Sequence, residues 1–297
     1  MKRKEAISEY HLNKHRPDKP QFAIHDLKAY LTLNQGKANK PHIHSFFQII
    51  WFKKGSGKHF VDFKAYDVFE NAIFFIARNQ VHYFDENTEY DGVLIHFSEL
   101  FLTPNESSID YLMKCSLFNN PYQMPSCCIG SNIEATLSIY INQIYTELET
   151  EEDFASDELL RTYLKAFLIQ VQRGRNDFER ANGKTPFMLD EKREQLIRFV
   201  NFVDEHFIKG VTVAEYAQLL HISSRTLSDL TAQTLNKTPL TVIQERTVLE
   251  AQRLLLHSDL NVNQIGYRLG FDDPSYFVKY FKKHTKISPS EFRKSIS

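Results

Sequence analysis

The spacing of apolar residues changes part-way along this chain. Before about residue 125 they fall in short dense runs: Phe46-Phe-Gln-Ile-Ile-Trp-Phe52, Gly57-Lys-His-Phe-Val-Asp-Phe63, Ala72-Ile-Phe-Phe-Ile-Ala77 and Gly92-Val-Leu-Ile-His-Phe97. The runs are aromatic and β-branched, and turn segments such as Lys54-Gly-Ser-Gly57 separate them, so each predicts a strand. Several short strands at this spacing predict a small antiparallel barrel or sandwich. From residue 132 the period becomes helical. Ile133, Leu137, Tyr140, Ile141, Ile144, Tyr145 and Leu148 form one stripe over 132–149, and Leu160, Tyr163, Leu164, Phe167, Leu168 and Val171 form another over 154–172. Packing on the strand layer accounts for one face of these helices. A polar, glycine-containing stretch follows and predicts a linker over 174–190.

The remainder, 191–297, repeats one local grammar. In the second copy Asn261 and Gln264 have the spacing of a capping box, and Val262, Ile265 and Leu269 recur at helical spacing. Gly270 can take the left-handed conformation that stops a helix, and Phe271 then turns inward. Asp273-Pro274 restarts a helix, a carboxylate capping its free amides and proline suiting its first turn. That helix is expected to bury Phe277, Tyr280 and Phe281 and to turn Ser275, Tyr276, Val278, Lys279 and Lys282 outward. An outward face that is short-chained first and basic later suits entry into a major groove. The first copy has the box Thr212 and Glu215, a buried turn residue Ile222, a cap at Ser223, and a helix through Leu227 and Leu230. Aligning Leu227 with Phe277 sets the copies 50 positions apart. Between them, 240–256 reads as one longer helix, stiff enough to fix the two. Helix-turn-helix units are therefore predicted at about 212–231 and 261–283.

Charge refines this only locally. Residues 191–297 hold 15 lysines and arginines against 12 acids, a modest excess for a nucleic-acid partner. From Pro274 onward, however, Lys279, Lys282, Lys283, Lys286, Arg293 and Lys294 face one acid, Glu291. The second unit thus reads as the phosphate anchor. Arg225, near the start of the first unit's second helix, could reach the two acceptors of a guanine edge. Asp229 on the same helix opposes phosphate and would tune selectivity.

The segment from about Glu194 to Lys294 resembles the DNA-binding domain of the AraC/XylS family of bacterial transcription regulators. Arg253-Leu-Leu-Leu, Ile265, Leu269-Gly-Phe271, Ser275-Tyr-Phe277, Tyr280-Phe-Lys-Lys, Ser288-Pro289 and Phe292-Arg293 carry the match over roughly a third of the chain. The family's usual alanine is Gly266 here, and its usual phenylalanine in the first recognition helix is Thr231. The glycine after each recognition helix is replaced by Asn236 and Lys286, and lysine tolerates the left-handed conformation poorly. The DNA-facing positions are then Ser224, Arg225, Thr226, Ser228 and Asp229 in one unit, and Ser275, Tyr276, Lys279, Lys282 and Lys283 in the other.

Upstream, His42-Ile-His44-Ser-Phe-Phe-Gln48, with Gly55 and His82, resembles the metal-binding motif of cupins, domains that commonly precede this kind of DNA-binding domain. Enzymatic cupins hold a divalent metal with two histidines, a glutamate and a third histidine. Gln48, a weak neutral ligand, stands at the glutamate position. His42, His44 and His82 are expected to converge at a barrel mouth, and three readings are open for them: a metal site, polar groups of a metal-free effector pocket, or structural histidines. Trp51 and Tyr66 could line such a pocket, although an aromatic in a sheet is more often plain core. The expected site is an effector pocket of His42, His44, Gln48, Trp51, Tyr66 and His82, with no catalytic residue, metal or cofactor.

A length of 297 residues exceeds what a single core usually serves, so two domains are expected. They are a cupin-like effector-binding and dimerisation domain over 1–173, the linker, and an AraC-type DNA-binding domain over 191–297. The fold class is α+β: an N-terminal antiparallel β-barrel with two helices, then an all-α domain with two helix-turn-helix units. No apolar run approaches the roughly 20 residues a membrane span needs. The basic start Met1-Lys-Arg-Lys leads into Glu5-Ala-Ile-Ser-Glu, not an apolar signal core, which points to a cytoplasmic protein. Cys115, Cys127 and Cys128 lack metal spacing and read as reduced thiols. The expected function is a sequence-specific transcription regulator, of a family that includes activators, responding to a small-molecule effector. Its partners would be double-stranded DNA, the effector and a second copy of the chain, with RNA polymerase a further candidate. One rival is a metal-dependent cupin enzyme with an accessory helical domain, against which Gln48 and the complete double unit argue. A second is an interaction module that kept the fold and lost DNA affinity.

Overall fold

The computed structural model describes residues 8–12, 21–62, 64–86, 89–102, 117–118, 125–128, 131–150, 154–181 and 191–295. The expectations for Met1 to Lys4, Cys115 and the linker over 182–190 lie outside these residues. The described chain falls into two compact units, one up to Ala181 and one from Glu191.

The N-terminal unit is built on two five-stranded sheets. One contains β1 (Ser8–Tyr10), β3 (His42–His44), β5 (Gly57–Val61), β6 (Lys64–Val68) and β8 (His82–Phe84), in the order β1-β3-β8-β5-β6. The other contains β2 (Phe22–Asp26), β4 (Phe47–Lys54), β7 (Ala72–Ile76), β9 (Asp91–Phe97) and β10 (Ser126–Cys128), in the order β10-β7-β4-β9-β2. Pairing is antiparallel except between β1 and β3, which run parallel. Among the described residues, two short helices, α1 (Leu27–Leu33) and α2 (Glu99–Leu102), lie beside the strands. Both are too short to show a helical period in their apolar residues.

The central strands are dense apolar runs because both of their faces are buried. Ile50 and Phe52 of β4, Phe74 and Ile76 of β7, and Leu94 of β9 point inward and meet Val61, Val68 and Phe84 of the opposite sheet. The alternate residues Phe47, Ile49, Trp51, Ile73, Phe75, Val93, Ile95 and Phe97 point outward, where two helices cover them. Those helices are α3 (Ser131–Glu149) and α4 (Ser156–Ala181), and they contribute Leu137, Ile141, Ile144, Leu160, Leu164, Phe167, Leu168 and Val171. Each Å² of apolar surface that this double burial removes from water contributes about 25 cal/mol.

The linker reading needs correction over 174–181, which continue α4 as helix. Gly174 does not break this helix. Instead it lets α3 approach: a Cβ there would lie 2.3 Å from Ile133 Cδ1. Arg175 is likewise buried, paired with Glu179 one turn on at 3.3 Å, and Arg180 pairs with Asp177.

The C-terminal unit is all helical. It comprises α5 (Glu191–His206), a 3-10 turn (Phe207–Lys209), α6 (Val213–Leu219), α7 (Ser224–Leu235), α8 (Pro239–His257), α9 (Val262–Arg268), α10 (Pro274–Thr285) and α11 (Pro289–Ser295). Both capping boxes form, Thr212 with Glu215 and Asn261 with Gln264, each satisfying two otherwise orphaned amides. Asp273 caps α10 with Pro274 in its first turn, and Ser223 caps α7. The 50-residue repeat holds for α7 and α10, which end in left-handed Asn236 and Lys286 with matching Asn236-to-Ala232 and Lys286-to-Lys282 bonds. The leading helices are offset by 49. Ile222 donates to Ala217 O as Phe271 does to Gly266 O, and left-handed His221 stands where Gly270 does. The second turn is one residue longer, and Asp272 is the addition. Ile222 is half-buried, not fully enclosed.

The helix α8 is the spine of this unit. Arg246 bonds Asp204 of α5 at 2.5 Å and Glu250 at 3.0 Å, and its guanidinium lies 4.1 Å from the Phe207 ring centre. Ala251 and Leu255 join Ile265, Leu269, Phe277, Phe281 and Phe292 in the core of the second helix-turn-helix. In the first, Tyr216, Leu227 and Leu230 are buried, and Thr231 fills the place of Phe281 with its hydroxyl donated to Ser228 O.

Candidate functional site

In the N-terminal unit the strands bring His42, His44 and His82 together. His42 and His44 are two apart on β3 and so project to the same face, and His82 on β8 pairs directly with His42. Ring centres are 4.3 Å apart for His42 and His82, and 4.9 Å for His44 with each of the others. All three are buried within the unit, not at an open mouth. One nitrogen from each falls in a group whose members lie within 4.8 Å of one another. His42 Nδ1 is 2.7 Å from the Lys40 carbonyl and donates to it in the tautomer that leaves Nε2 a free lone pair. Both nitrogens of His44 and Nε2 of His82 are enclosed without a hydrogen-bonding partner.

Two further histidines enlarge the cluster. His59 on β5 is fully enclosed, with Nε2 3.3 Å from His82 Nδ1. His96 on β9 faces Gln48 across the ladder and donates from Nε2 to its Oε1 at 2.9 Å. His25 and Tyr30 pack beside His96. Both His59 and His96 stood in plain view in the strand runs, and their parity with inward-facing neighbours was the available signal. Burial holds the imidazoles neutral: His44, His82 and His96 sit well below the usual histidine range, His59 is pushed down to about 3, and neighbouring histidines reinforce each shift.

Trp51 leaves the pocket. It lies on β4 with opposite parity to Gln48, facing α4 with its ring centre 6.1 Å from that of Phe167. A one-residue step along a strand reverses the face, and here both faces are apolar enough to accept an indole. Tyr66 stays on the inner side, half-buried against the interior cluster.

In the C-terminal unit Ser224, Arg225, Thr226, Ser228 and Asp229 are all exposed on α7, as are Ser275, Tyr276, Lys279, Lys282 and Lys283 on α10. The Ser228 hydroxyl donates to Ser224 O, and Thr226 shares a hydroxyl bond with the cap Ser223, so the start of α7 presents a short polar surface with Arg225 as its longest arm. Two outward assignments change. Val278 is half-buried against the core. Arg293 donates from Nε to Leu255 O and from a terminal nitrogen to Leu260 O, both at 2.7 Å, which ties α11 to the end of α8 instead of offering a charge to phosphate.

Comparison with known proteins matches residues 32–168 to an AraC-like ligand binding domain and residues 216–295 to a helix-turn-helix domain. The first span holds every pocket histidine, and the second holds both exposed helices. The chain belongs to the AraC-type family of transcription regulators. It is a DNA-binding protein with a ligand-binding domain in front. Similar relatives include the HTH-type transcriptional activator RhaS of Enterobacter sp., 23% identical over 85% of this chain and 86% of that one, and RhaS of Mannheimia succiniciproducens, 25% identical over 85% and 88%. Among solved structures, ToxT of Vibrio cholerae is 18% identical over 92% of this chain and 97% of that chain, with a TM-score of 0.41. The order of the regulator's two parts accounts for the change of period along its sequence, strands before helices. Among its described residues no helix is long and apolar enough to cross a membrane.

Proposed function

We propose that this AraC-type regulator is a cytoplasmic homodimer that activates transcription when a small-molecule effector occupies the interior near His42, His44, Gln48 and His82. The observation that carries the DNA-reading half is the pairing of α7 and α10. Both present exposed polar or basic faces, and both pack on the one helix α8 that Arg246 anchors to α5. A subunit then reads two successive major-groove faces on one side of the duplex. Lys279, Lys282 and Lys283 supply phosphate contacts, and Arg225 reads a base edge. The modest net charge of the C-terminal unit matters less, because Lys279, Lys282 and Lys283 stand exposed together on α10.

Convergent polar groups in an otherwise apolar interior are the usual form of a ligand site, which supports the effector reading. Self-association is supported by α3 and α4, where Ile139, Leu148, Leu159 and Phe178 stay exposed although the opposite faces are buried. An effector acts only through different affinity for two arrangements of such a dimer. RNA polymerase is the partner through which activation would run.

Footprinting on the regulator's own promoter fragments tests the DNA geometry. Groove faces recur about every 10 base pairs, so a subunit protects on the order of 20 base pairs. Protection confined to a single half-turn would reject it.

A further inference from the structure

We propose that His42, His44 and His82 form a three-histidine site for one divalent transition-metal ion, best suited to zinc, inside the N-terminal unit. This departs from the metal-free pocket that the sequence suggested. The donor set fits such an ion. Neutral imidazoles suit zinc, copper, nickel and iron far better than magnesium or calcium, and three of them with an open fourth position match a common zinc arrangement. A tetrahedral ion with bonds of about 2.1 Å sets its ligands about 3.4 Å apart. The candidate atoms already lie within 4.8 Å of one another, so small side-chain rotations close the site.

Buried ring nitrogens are also left unsatisfied. His44 has no hydrogen-bonding partner at either nitrogen, and His82 has none at Nε2, although all these atoms are sealed from solvent. Enclosed ring nitrogens of an imidazole used only for packing would normally find hydrogen-bonding partners. A metal takes up the lone pairs that nothing else in the interior uses.

Two of the three rings have outer support. The Lys40 carbonyl accepts from His42 Nδ1 at 2.7 Å, and His59 Nε2 lies 3.3 Å from His82 Nδ1. Ligating histidines are typically held this way at the nitrogen opposite the metal, which fixes tautomer and ring orientation. Gln48 is already engaged by His96, so the site offers three protein ligands and leaves one position open. If the interior is also the effector pocket, that position is where an oxygen or anionic group of the effector would bind, and this clause alone rests on the proposed function.

The test uses the full-length chain, stripped with a chelator and titrated with Zn²⁺ by calorimetry and with Co²⁺ by visible absorption, without DNA or effector. One ion per chain is expected, with the intense Co²⁺ bands of tetrahedral ligation. His44→Ala should abolish uptake, and His59→Ala should keep the ion but weaken it by about 10- to 100-fold. His44→Cys guards against a misfolded alanine variant, since it retains a ligand and should add a thiolate-to-cobalt charge-transfer band. The proposal is overturned if the stripped wild-type chain takes up neither ion. It is equally overturned if uptake survives His44→Ala and the cysteine variant shows no thiolate band. An effector response that persists while uptake fails leaves the proposed function standing without this site.

Discussion

Gln48 and His96 lie opposite each other on neighbouring strands and share a 2.9 Å hydrogen bond, with the imidazole donating and the amide oxygen accepting. A neutral side chain at this position keeps the interior uncharged, because His96 is itself held neutral by burial. Gln48→Glu should therefore tighten divalent metal binding by about tenfold or more, since a carboxylate adds a charged ligand to three imidazoles. The same change should lower the stability of the stripped protein, because an enclosed carboxylate without a cation is costly. Competition for Zn²⁺ against a chromophoric chelator measures the first effect and urea unfolding the second. Unchanged affinity would mean that the side chain at position 48 does not reach the ion.

The buried histidines predict how the stripped protein responds to acid. His44, His59, His82 and His96 resist protonation when folded, whereas in the unfolded chain each titrates near 6.5. As pH falls through that value the unfolded state takes up protons first. Stability is thus full above about pH 6.5 and drops below it, by up to about 1.4 kcal/mol per pH unit for each histidine kept neutral. Trp51 is the sole tryptophan and reports on this unit alone, so its fluorescence in urea titrations between about pH 7.5 and 5.5 follows the loss. A flat profile would show that the cluster protonates without unfolding.

On DNA, Lys279→Ala and Lys282→Ala should weaken binding to every sequence and flatten its salt dependence by up to about one unit of slope per lost phosphate contact. Arg225→Ala should leave that slope nearly intact and relax preference at one or two base positions. Shift assays across a salt series separate the two classes, and selection from a randomised pool reads the preferred motif. An unchanged motif for Arg225→Ala would remove it from base reading.

Backbone conformation in the turns gives a further prediction. Gly270 sits at φ +83°, and a Cβ there would lie 2.3 Å from the Ile208 carbonyl oxygen. Gly270→Ala should cost about 2 kcal/mol or more, because left-handed strain and the clash act together. Lys286 sits at φ +70° on an exposed helix end, so Lys286→Gly should stabilise by about 1 kcal/mol. Denaturation of the full chain, followed by helical circular dichroism, should show shifts of opposite sign. A destabilising Lys286→Gly would mean that contacts of the lysine side chain outweigh the strain.

Most of the C-terminal unit was legible in its residue order because its signals are local. Thr212 with Glu215, Asn261 with Gln264, and Asp273 with Pro274 act within one turn of chain, so their identities alone set where helices start, and the exposed faces of α7 and α10 follow from the period. The N-terminal strands were equally visible as runs, but not the direction each side chain takes. Gln48 and Trp51 belong to one run with both faces buried, so alternation says they part company without saying which meets the histidines and which meets α4. Only the covering helices decide that. The same holds for His59 and His96, brought to the cluster by pairings between distant strands, and for Gly174, which reads as a break until Ile133 is seen against it. Arg293 reads as a free cation until the carbonyls of Leu255 and Leu260 claim it. Bonds spanning three or four residues are written in the order of the chain, whereas a buried face is defined by partners that only the folded layers bring near.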